Sequence, residues 1–177
     1  MWTTDVSLNK IAFLVDDERD LNALGPLAVR MKERGMNPYS LNIHRTYKMD
    51  SWLPVVVTCE PWMILHLAGQ GRCRGVSIYV QDIRRPVNWK WPGNDSAAAL
   101  TDLFLFISSE ARRDATLISA WDRDRVLLGG MASTDDMPEH ERRKIDPQKI
   151  FGPDGKSVER MYNMIRRYLQ RGERVQE

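Results

Sequence analysis

The sequence predicts an α/β protein: a three-layer, Rossmann-like parallel sheet of about six strands, with helices on both faces and an amphipathic helix at the C-terminus. Short runs of consecutive apolar residues recur along the chain, and segments with apolar residues at helical spacing separate them. A strand that is apolar on both sides is typical of a parallel sheet, because helices cover both of its faces. Strands that alternate with helices in this way also predict right-handed crossovers.

Six segments carry the strand signal. They are residues 11–15, 39–44, 54–58, 76–80, 103–107 and 126–128. Most are apolar throughout, as buried strands of a parallel sheet are. The second segment differs, because Leu41 and Ile43 alternate with polar neighbours. This alternation predicts an edge strand.

Helix signals fall between the strands. Pro26 suits a first turn and Gly35 a C-terminal cap, which predicts a helix over residues 25–35 after a charged loop. Further helices are predicted at residues 62–71, at 97–100, after residue 108, and at the C-terminus, where apolar residues recur at three- and four-residue spacing. We expect a Rossmann-like domain over residues 1–155. The terminal helix, over 156–177, would pack on that domain or on a partner.

Composition limits the classes of function. The 177 residues include 26 basic and 24 acidic side chains, a formal net charge of +2. This balance disfavours nucleic-acid binding by bulk electrostatics and leaves only a local basic face for it. No signal-peptide pattern and no run of about 18 apolar residues occurs, so we predict a cytoplasmic protein without a membrane partner. The two cysteines match neither a disulfide framework nor a zinc pattern, and we predict no metal and no cofactor.

Candidate site residues follow the strands, because ligands of open parallel sheets bind beyond the carboxyl ends. Three carboxylates that burial could turn into general bases are predicted to be catalytic: Asp16, Asp17 and Asp82. The predicted substrate-binding residues offer charged, hydroxyl, aromatic or close backbone contacts: Glu60, Arg84, Arg85, Trp89, Ser108, Ser109, Gly129 and Gly130. Solvated charges, helix caps and simple turns remain the alternatives for each of them.

A long loop is predicted between the fourth strand and residue 96. It contains Trp89 and Trp91 on either side of Lys90. Exposed indoles would stack on a sugar ring or a base, whereas buried indoles would pin the loop to the domain, and both interpretations stay open. The phosphate loops of ATPases, GTPases and dinucleotide oxidoreductases are missing from the sequence, which disfavours those classes.

The segments KIAFLVDD, PVVVTCEPW, VSIYVQDIRRP, TDLFLFISSEARRDATLISAW and RVLLGGMASTDD together resemble the N-terminal half of GT-B-type glycosyltransferases and nucleotide-sugar 2-epimerases, over residues 10–137. The family's glycine-rich turn after the first strand is replaced by residues 16–20, and its histidine after the fourth strand by Asp82. The resemblance implies a protein that binds a nucleotide, a sugar phosphate or a glycosyl acceptor. A second subunit would supply the other GT-B half, or the chain would form a homodimer.

Two alternatives stand beside this interpretation. FLVDDERDL and VQDIRRP resemble the acidic pair and the phosphoacceptor segment of response-regulator receivers, with Asp82 as acceptor and Ser108 at the hydroxyl position. An extra strand–helix unit separates Asp17 from Asp82, and no Lys-Pro follows the next strand. The other alternative is a non-enzymatic binding protein on the same scaffold, because a fold alone does not determine a function. Whether the chain is an enzyme stays open.

Overall fold

The computed structural model describes residues 10–48, 53–115 and 125–174. Its strands are β1 (Lys10–Val15), β2 (Asn37–Asn42), β3 (Leu53–Thr58), β4 (Cys73–Val80), β5 (Leu103–Phe106) and β6 (Val126–Leu128). These six strands form one sheet in the order β2-β1-β3-β4-β5-β6, and every neighbouring pair is parallel. The predicted fold class is confirmed, and so is the edge position of β2.

The helices are α1 (Glu18–Glu33), α2 (Pro61–Gly69), α3 (Pro92–Ala99), α4 (Ser109–Ala115), α5 (Glu139–Arg142) and α6 (Ser157–Arg174). Short 3-10 segments occupy Ile43–Lys48 and Ala132–Thr134. Helices α1 and α6 share one core cluster with β1, β3, β4 and β5. Helices α2, α3 and α4 pack on the other face of the sheet, in two further clusters. The sheet is therefore the middle layer of three.

Burial on both faces explains the continuous apolar runs of the sequence. Within β1, Ile11 and Phe13 face α1 and α6, whereas Ala12 and Leu14 face α2. Successive side chains of a strand point to opposite faces, so every position must be apolar when both faces are covered. The polar edge strand β2 is covered less well, as its exposed and half-buried residues show.

Helix α1 begins earlier than predicted. It starts at Glu18, and Asp17 is its N-cap, in a capping box with Asp20. The sequence predicts a loop for the charged run at residues 16–20, because Pro26 suits the first turn of a helix that begins after it. Pro26 instead lies inside the helix. A capping box satisfies N–H groups at the start of a helix, which explains why a run of acidic residues begins one here.

Two other predicted boundaries are wrong. Strand β2 ends at Asn42 and continues as the 3-10 segment, so His44 lies outside the sheet. Helix α3 begins at Pro92 rather than near residue 96, because Pro92 suits the first helical position and Trp91 is the N-cap. The connection between β4 and α3 is therefore shorter than predicted, and it ends at Trp91.

The predicted apolar stripe of the terminal helix packs against the sheet. Val158, Met161, Ile165 and Leu169 of α6 are buried in the same cluster as β1 and β3. The division at residue 155 stays a prediction. Among the described residues, no helix combines the length and the apolarity that crossing a bilayer requires.

Candidate functional site

The candidate site lies beyond the carboxyl ends of β1, β3 and β4, which are neighbours in the sheet. In the sheet, β2 lies on one side of β1 and β3 lies on the other side, so the strand order reverses between β1 and β3. This is the position at which open α/β sheets bind ligands. Charged residues follow the ends of all three strands, after Val15, Thr58 and Val80, and therefore lie at this edge of the sheet.

Arg85 is the centre of the charged network. Its Nη2 donates to Asp17 Oδ1 at 2.5 Å, and its Nε donates to Asp20 Oδ1 at 2.9 Å. Its Nη1 lies 3.6 Å from Glu60 Oε1. The Arg85 side chain is only 11% exposed. One largely buried guanidinium therefore joins the turns after β1, β3 and β4.

Asp20 is the most deeply buried charged group of this network. Its Oδ2 accepts from the backbone N–H of Asp16 at 2.7 Å, and its Oδ1 accepts from Arg85 and from the Cys59 thiol. The side chain has no exposed surface. Because a buried carboxylate is stable only when its oxygens are hydrogen-bonded, these donors explain how Asp20 is accommodated. Burial and the Asp20 carboxylate raise the pKa of the Cys59 thiol, which keeps the sulfur protonated.

Asp17 lies at the surface end of the same network. Its Oδ2 accepts from the guanidinium of Arg19 at 2.9 Å, and its Oδ1 accepts from Arg85. The hydrogen bonds from Arg19, the strongest influence, and those from Arg85 outweigh desolvation and lower the pKa of Asp17 to about 2. Asp17 is therefore ionised at neutral pH and is a poor base.

Asp82 and Arg84 form a second pair in the turn after β4. Asp82 is 4% exposed, and its two oxygens accept from Nε and Nη2 of Arg84 at 2.9 and 3.0 Å. Nη2 of Arg84 also donates to the carbonyl oxygen of Asn22 at 3.4 Å. Pro26 has no N–H to give that carbonyl its helical hydrogen bond. Arg84 thus links the β4 turn to the point where Pro26 interrupts α1.

Glu60 is the carboxyl group whose titration is most displaced toward neutral pH. Its Oε1 accepts from the indole N–H of Trp62 at 3.3 Å, whereas its Oε2 is buried without a hydrogen-bond donor among the described residues. Burial, and then the neighbouring Asp20 carboxyl group, raise the pKa of Glu60 to about 7, against the opposing influence of Trp62 and Arg85. Glu60 therefore exchanges a proton in the neutral range.

A cavity of about 570 Å³ adjoins this network. Its charged lining consists of Arg19, Glu60, Arg84 and Arg85. Its apolar and amide lining comes from α2, from the loop after β4 and from the start of α3: Pro61, Trp62, Leu65, Pro86, Val87, Asn88, Trp91, Gly93 and Asn94. This volume lies in the range of small-molecule sites.

The two tryptophans of the loop have different positions. Trp89 is 8% exposed, and its ring contacts those of Tyr79, Phe104 and Phe106. Its predicted stacking on a ligand does not fit this burial, because the aromatic cluster encloses the indole and pins the loop. Trp91 is 67% exposed and lines the cavity. Of the two, Trp91 is the one that a ligand can reach.

Asp16 lies outside the cavity lining. Its backbone N–H donates to Asp20, and its Oδ1 is 2.6 Å from Nε2 of His44, an exposed residue just after β2. Neither Asp16 nor Asp17 lines the cavity, and nor does Asp82. The structure joins Asp17 and Glu60 through Arg85 and places Arg84 in the same cavity lining. Asp82 reaches the cavity only through its pair with Arg84, and Asp16 pairs with His44 instead.

The predicted residues after β5 and β6 lie elsewhere along the edge. Ser108 is 2% exposed and caps α4 by accepting from the N–H of Ala111 at 3.1 Å, and Ser109 is exposed at the start of that helix. A Cβ atom on Gly129 would lie 2.7 Å from the side chain of Met161. The glycine at that position is explained by contact with α6, so it indicates no ligand.

Gly130 has a similar structural explanation. Its φ of +81° is left-handed, and a Cβ atom there would lie 2.7 Å from the carbonyl oxygen of Phe151 and 2.8 Å from Oγ of Ser157. The chain's own residues therefore occupy the space that the two glycines leave, where a ligand was predicted.

Several residues of the site were not predicted from the sequence. Asp20 was assigned to a loop, although the spacing Asp17-x-x-Asp20 is that of a capping box and indicated a helix start. The sequence assigns Trp62 to a helix without a site role, and Arg19 is not among the substrate-binding residues predicted from it. Within the described ranges, no group of three His, Cys, Asp or Glu side chains is arranged to hold a metal ion.

The fold and the site define a Rossmann-like α/β protein with a ligand-sized cavity beside its point of strand reversal. No family model matches the chain, and no curated protein matches it in sequence. A solved structure from Listeria monocytogenes, assigned as a UDP-N-acetylglucosamine 2-epimerase, is similar to 71% of this chain, with 11% sequence identity and a TM-score of 0.49. The chain spans 45% of the length of that protein. This likeness concerns the fold alone.

Proposed function

We propose that the protein is a glycosyltransferase-like half-domain that binds a nucleotide, a sugar phosphate or a glycosyl acceptor in the cavity beyond β3 and β4. The observation that carries the proposal is the composition of the lining. Exposed Trp91 and the apolar side chains of α2 adjoin three guanidinium groups and the carboxyl group of Glu60. A lining of this kind suits a ligand with one flat or apolar part and one polar or charged part.

A ring of the ligand has two kinds of partner in the cavity. The exposed indole of Trp91 offers a face on which a sugar or a base can stack. Asn88 and Asn94 supply amide groups beside it. Asn94 uses Nδ2 to bind the carbonyl of Asn88, and Asn88 uses Oδ1 to accept from Lys90. The remaining Oδ1 of Asn94 and Nδ2 of Asn88 are left for hydroxyl groups or a base edge.

A charged group of the ligand has donors in the same cavity. Arg84 and Arg19 bind their carboxylate partners through Nε and Nη2. Within the part of the chain that the structure describes, Nη1 of each therefore remains for a ligand. Helices α2 and α3 begin at the cavity, and their N-caps, Glu60 and Trp91, make no side-chain capping bond. Uncapped first-turn N–H groups favour an anion. Because Pro61 and Pro92 have no N–H and the N–H of Met63 donates to the carbonyl oxygen of Glu60, the groups concerned are those of Trp62, Gly93 and Asn94.

Glu60 supplies the acid–base group if the protein is an enzyme. Its carboxyl group titrates near neutral pH, so it can take a proton from a hydroxyl group of the ligand or return one. We propose positioning roles for Asp17 and Asp82, because each holds an arginine of the cavity. Asp16, which contacts His44, has no role in this proposal.

Binding can be tested by thermal shift and calorimetry with a panel of nucleotides, nucleotide-sugars, sugar phosphates and neutral glycosides. A ligand that binds the native state raises the melting temperature by mass action. We expect at least one member of the panel to do so. A panel without any shift would contradict the proposal.

Trp91→Ala tests whether the ligand binds in this cavity. The indole is exposed, so its removal should leave the folded state almost unchanged while weakening binding by about tenfold or more through lost stacking. Tyr39→Ala is the matched control, because Tyr39 is a partly exposed aromatic residue on the edge strand β2. Equal binding by both variants would place the ligand elsewhere.

Glu60→Gln separates an enzyme from a binding protein that uses the same cavity. Glutamine keeps the shape of the side chain and cannot accept a proton. If the parent protein converts a bound ligand and Glu60→Gln binds that ligand without converting it, Glu60 is established as the acid–base group. The second GT-B subunit stays a prediction, which co-purification of a stable partner would test.

A further inference from the structure

The charges of the cavity wall do not balance. The three guanidinium groups of Arg19, Arg84 and Arg85 are paired with acidic side chains of the turns after β1, β3 and β4. These acidic side chains are Asp17, Asp20, Glu60 and Asp82. Four carboxyl groups thus share three guanidinium groups, and one carboxyl group is left without a full partner.

Geometry identifies Glu60 as the group in excess. Arg85 makes short hydrogen bonds to Asp17 and Asp20, whereas its distance to Glu60 is 3.6 Å. The Oε2 atom of Glu60 is buried and accepts from no donor among the described residues. A buried carboxylate oxygen without a donor is costly, and protonation is the usual way to remove that cost. A proton on Glu60 would also allow it to donate to the neighbouring Asp20.

The hydrogen-bond donors that remain at the cavity favour an anionic ligand. They are the Nη1 atoms of Arg84 and Arg19, which bind no acceptor among the described residues. The backbone N–H groups of Trp62 in α2 and of Gly93 and Asn94 in α3 add first-turn donors. An anion bound to them would bring further negative charge close to Glu60 and Asp20. The ligand and an ionised Glu60 would then repel each other.

We infer that the charged part of the ligand is a phosphoryl group and that its binding is coupled to the uptake of one proton by Glu60. The protonated Glu60 then donates a hydrogen bond to Asp20. This inference rests on the proposed function and names the ligand class and the pH dependence of that same site. The charged and titratable groups next to Glu60 are Asp20 from α1, Cys59 from the end of β3 and Arg85 from the turn after β4. Arg19 and Arg84 line the same cavity, and they pair with Asp17 and Asp82.

The test compares phosphorylated and unphosphorylated probes by calorimetry. Glucose 1-phosphate is paired with methyl glucoside, and uridine diphosphate is paired with uridine. We expect the phosphorylated member of at least one pair to bind at least tenfold more tightly. Equal binding within each pair would keep the proposed function and overturn the phosphoryl inference. If none of the four probes and no member of the wider panel binds, both the phosphoryl inference and the proposed function are refuted.

Proton uptake is measured with the same probe at pH 7.5 in two buffers of different ionisation enthalpy. We expect uptake of about half to three-quarters of a proton, because part of the free protein already carries the proton at pH 7.5. Affinity should be about fivefold or more weaker at pH 8.5 than at pH 7, because ligand binding requires the protonated form of Glu60. Glu60→Gln, which is neutral at every pH, should take up no proton and lose this pH dependence.

Glu139→Gln is the matched control. It makes the same change in charge at an exposed site on α5, where Glu139 pairs with Arg143. Its proton uptake on binding the phosphorylated probe should equal that of the parent protein. Phosphoryl binding without proton uptake in the parent, or with unchanged uptake in Glu60→Gln, would refute the coupling. Circular dichroism of Glu60→Gln establishes that the variant is folded before it is compared.

Discussion

Two parts of the same sheet edge behave differently, although the sequence predicts a binding role for both. Beyond β1, β3 and β4, charged side chains border a ligand-sized cavity. Beyond β5 and β6, the chain covers the edge with its own residues. The N–H of Phe151 donates to the carbonyl oxygen of Ile107 at 2.6 Å, immediately after β5. Gly130 lies against this covering segment, whereas Gly129 packs against Met161 of α6.

Arg160 shows how the covered part is held together. Its Nη1 donates to the carbonyl oxygen of Gly129 at 3.1 Å, and its Nη2 donates to Gly152 and to the carboxylate of Asp154. Its guanidinium also lies over the ring of Phe151, 5.0 Å from the centroid. The Asp135 carboxylate accepts from two N–H groups at the start of α6. Here, intramolecular groups satisfy the donors that an anionic ligand would otherwise bind.

The comparison teaches that position on a sheet edge is not enough to define a site. Both parts have helix N-termini, arginines and carboxylates, which are the groups that bind polar ligands. They differ in whether a donor is left over. Arg160 uses both terminal nitrogens within the chain, whereas Arg19 and Arg84 each keep Nη1 for another partner.

The largest effect should come from removing the guanidinium at the centre of the open part. Arg85→Ala leaves the fully buried Asp20 without its charged donor, and we expect a loss of about 3–5 kcal/mol in the free energy of unfolding. Arg19→Ala, at a side chain that is 63% exposed, should cost less than about 1 kcal/mol. Urea denaturation compares the two. Equal losses would show that Arg85 is not the centre of the network.

A smaller effect is expected in the covered part. Gly130→Ala forces a left-handed alanine against Phe151 and Ser157, at a cost of about 2–3 kcal/mol. Gly25→Ala is its control, because Gly25 lies inside α1 with open space around it. The helix propensity that alanine gains is opposed by the restriction that Pro26 places on the residue before it, so stability should change by less than about 1 kcal/mol. Ligand affinity at the cavity should be unchanged in folded Gly130→Ala. A loss of affinity would mean that the two parts are coupled.

The smallest effect concerns pH. The pKa of Glu60 is raised to about 7 from about 4.5, so the folded state binds this proton more tightly than the unfolded chain does. The stability that Glu60 contributes is therefore complete below about pH 4.5 and is lost as pH rises toward 7. Glu60→Gln should be more stable than the parent protein at pH 8, by about 1–2 kcal/mol, and similar to it at pH 4.5. This is about half of what the full shift corresponds to, because the Glu60 side chain is partly open to the cavity. Denaturation at both pH values checks this, and a constant difference would contradict it.

The strands were predictable because their signal is local. A run such as IAFLV in β1 is apolar at every position, and the parallel sheet is the structure that buries both faces of such a strand. The start of α1 is also encoded locally, in the spacing of Asp17 and Asp20, but Pro26 is a competing local signal for a later start. In the structure, Arg84 binds the carbonyl oxygen that Pro26 leaves free, which no local pattern predicts.

The sequence by itself determined the fold class, the edge position of β2 and the set of side chains that leave the strands, because hydrophobic periodicity and chain order are properties of short segments. Only the tertiary structure decided which of those side chains meet. It joined Glu60, Asp20 and Arg85 beside a cavity, buried Trp89 while leaving Trp91 exposed, and covered Gly129 and Gly130. The reason is physical: pairing and burial depend on contacts between distant segments, and the same residue types occur in the open and covered parts alike.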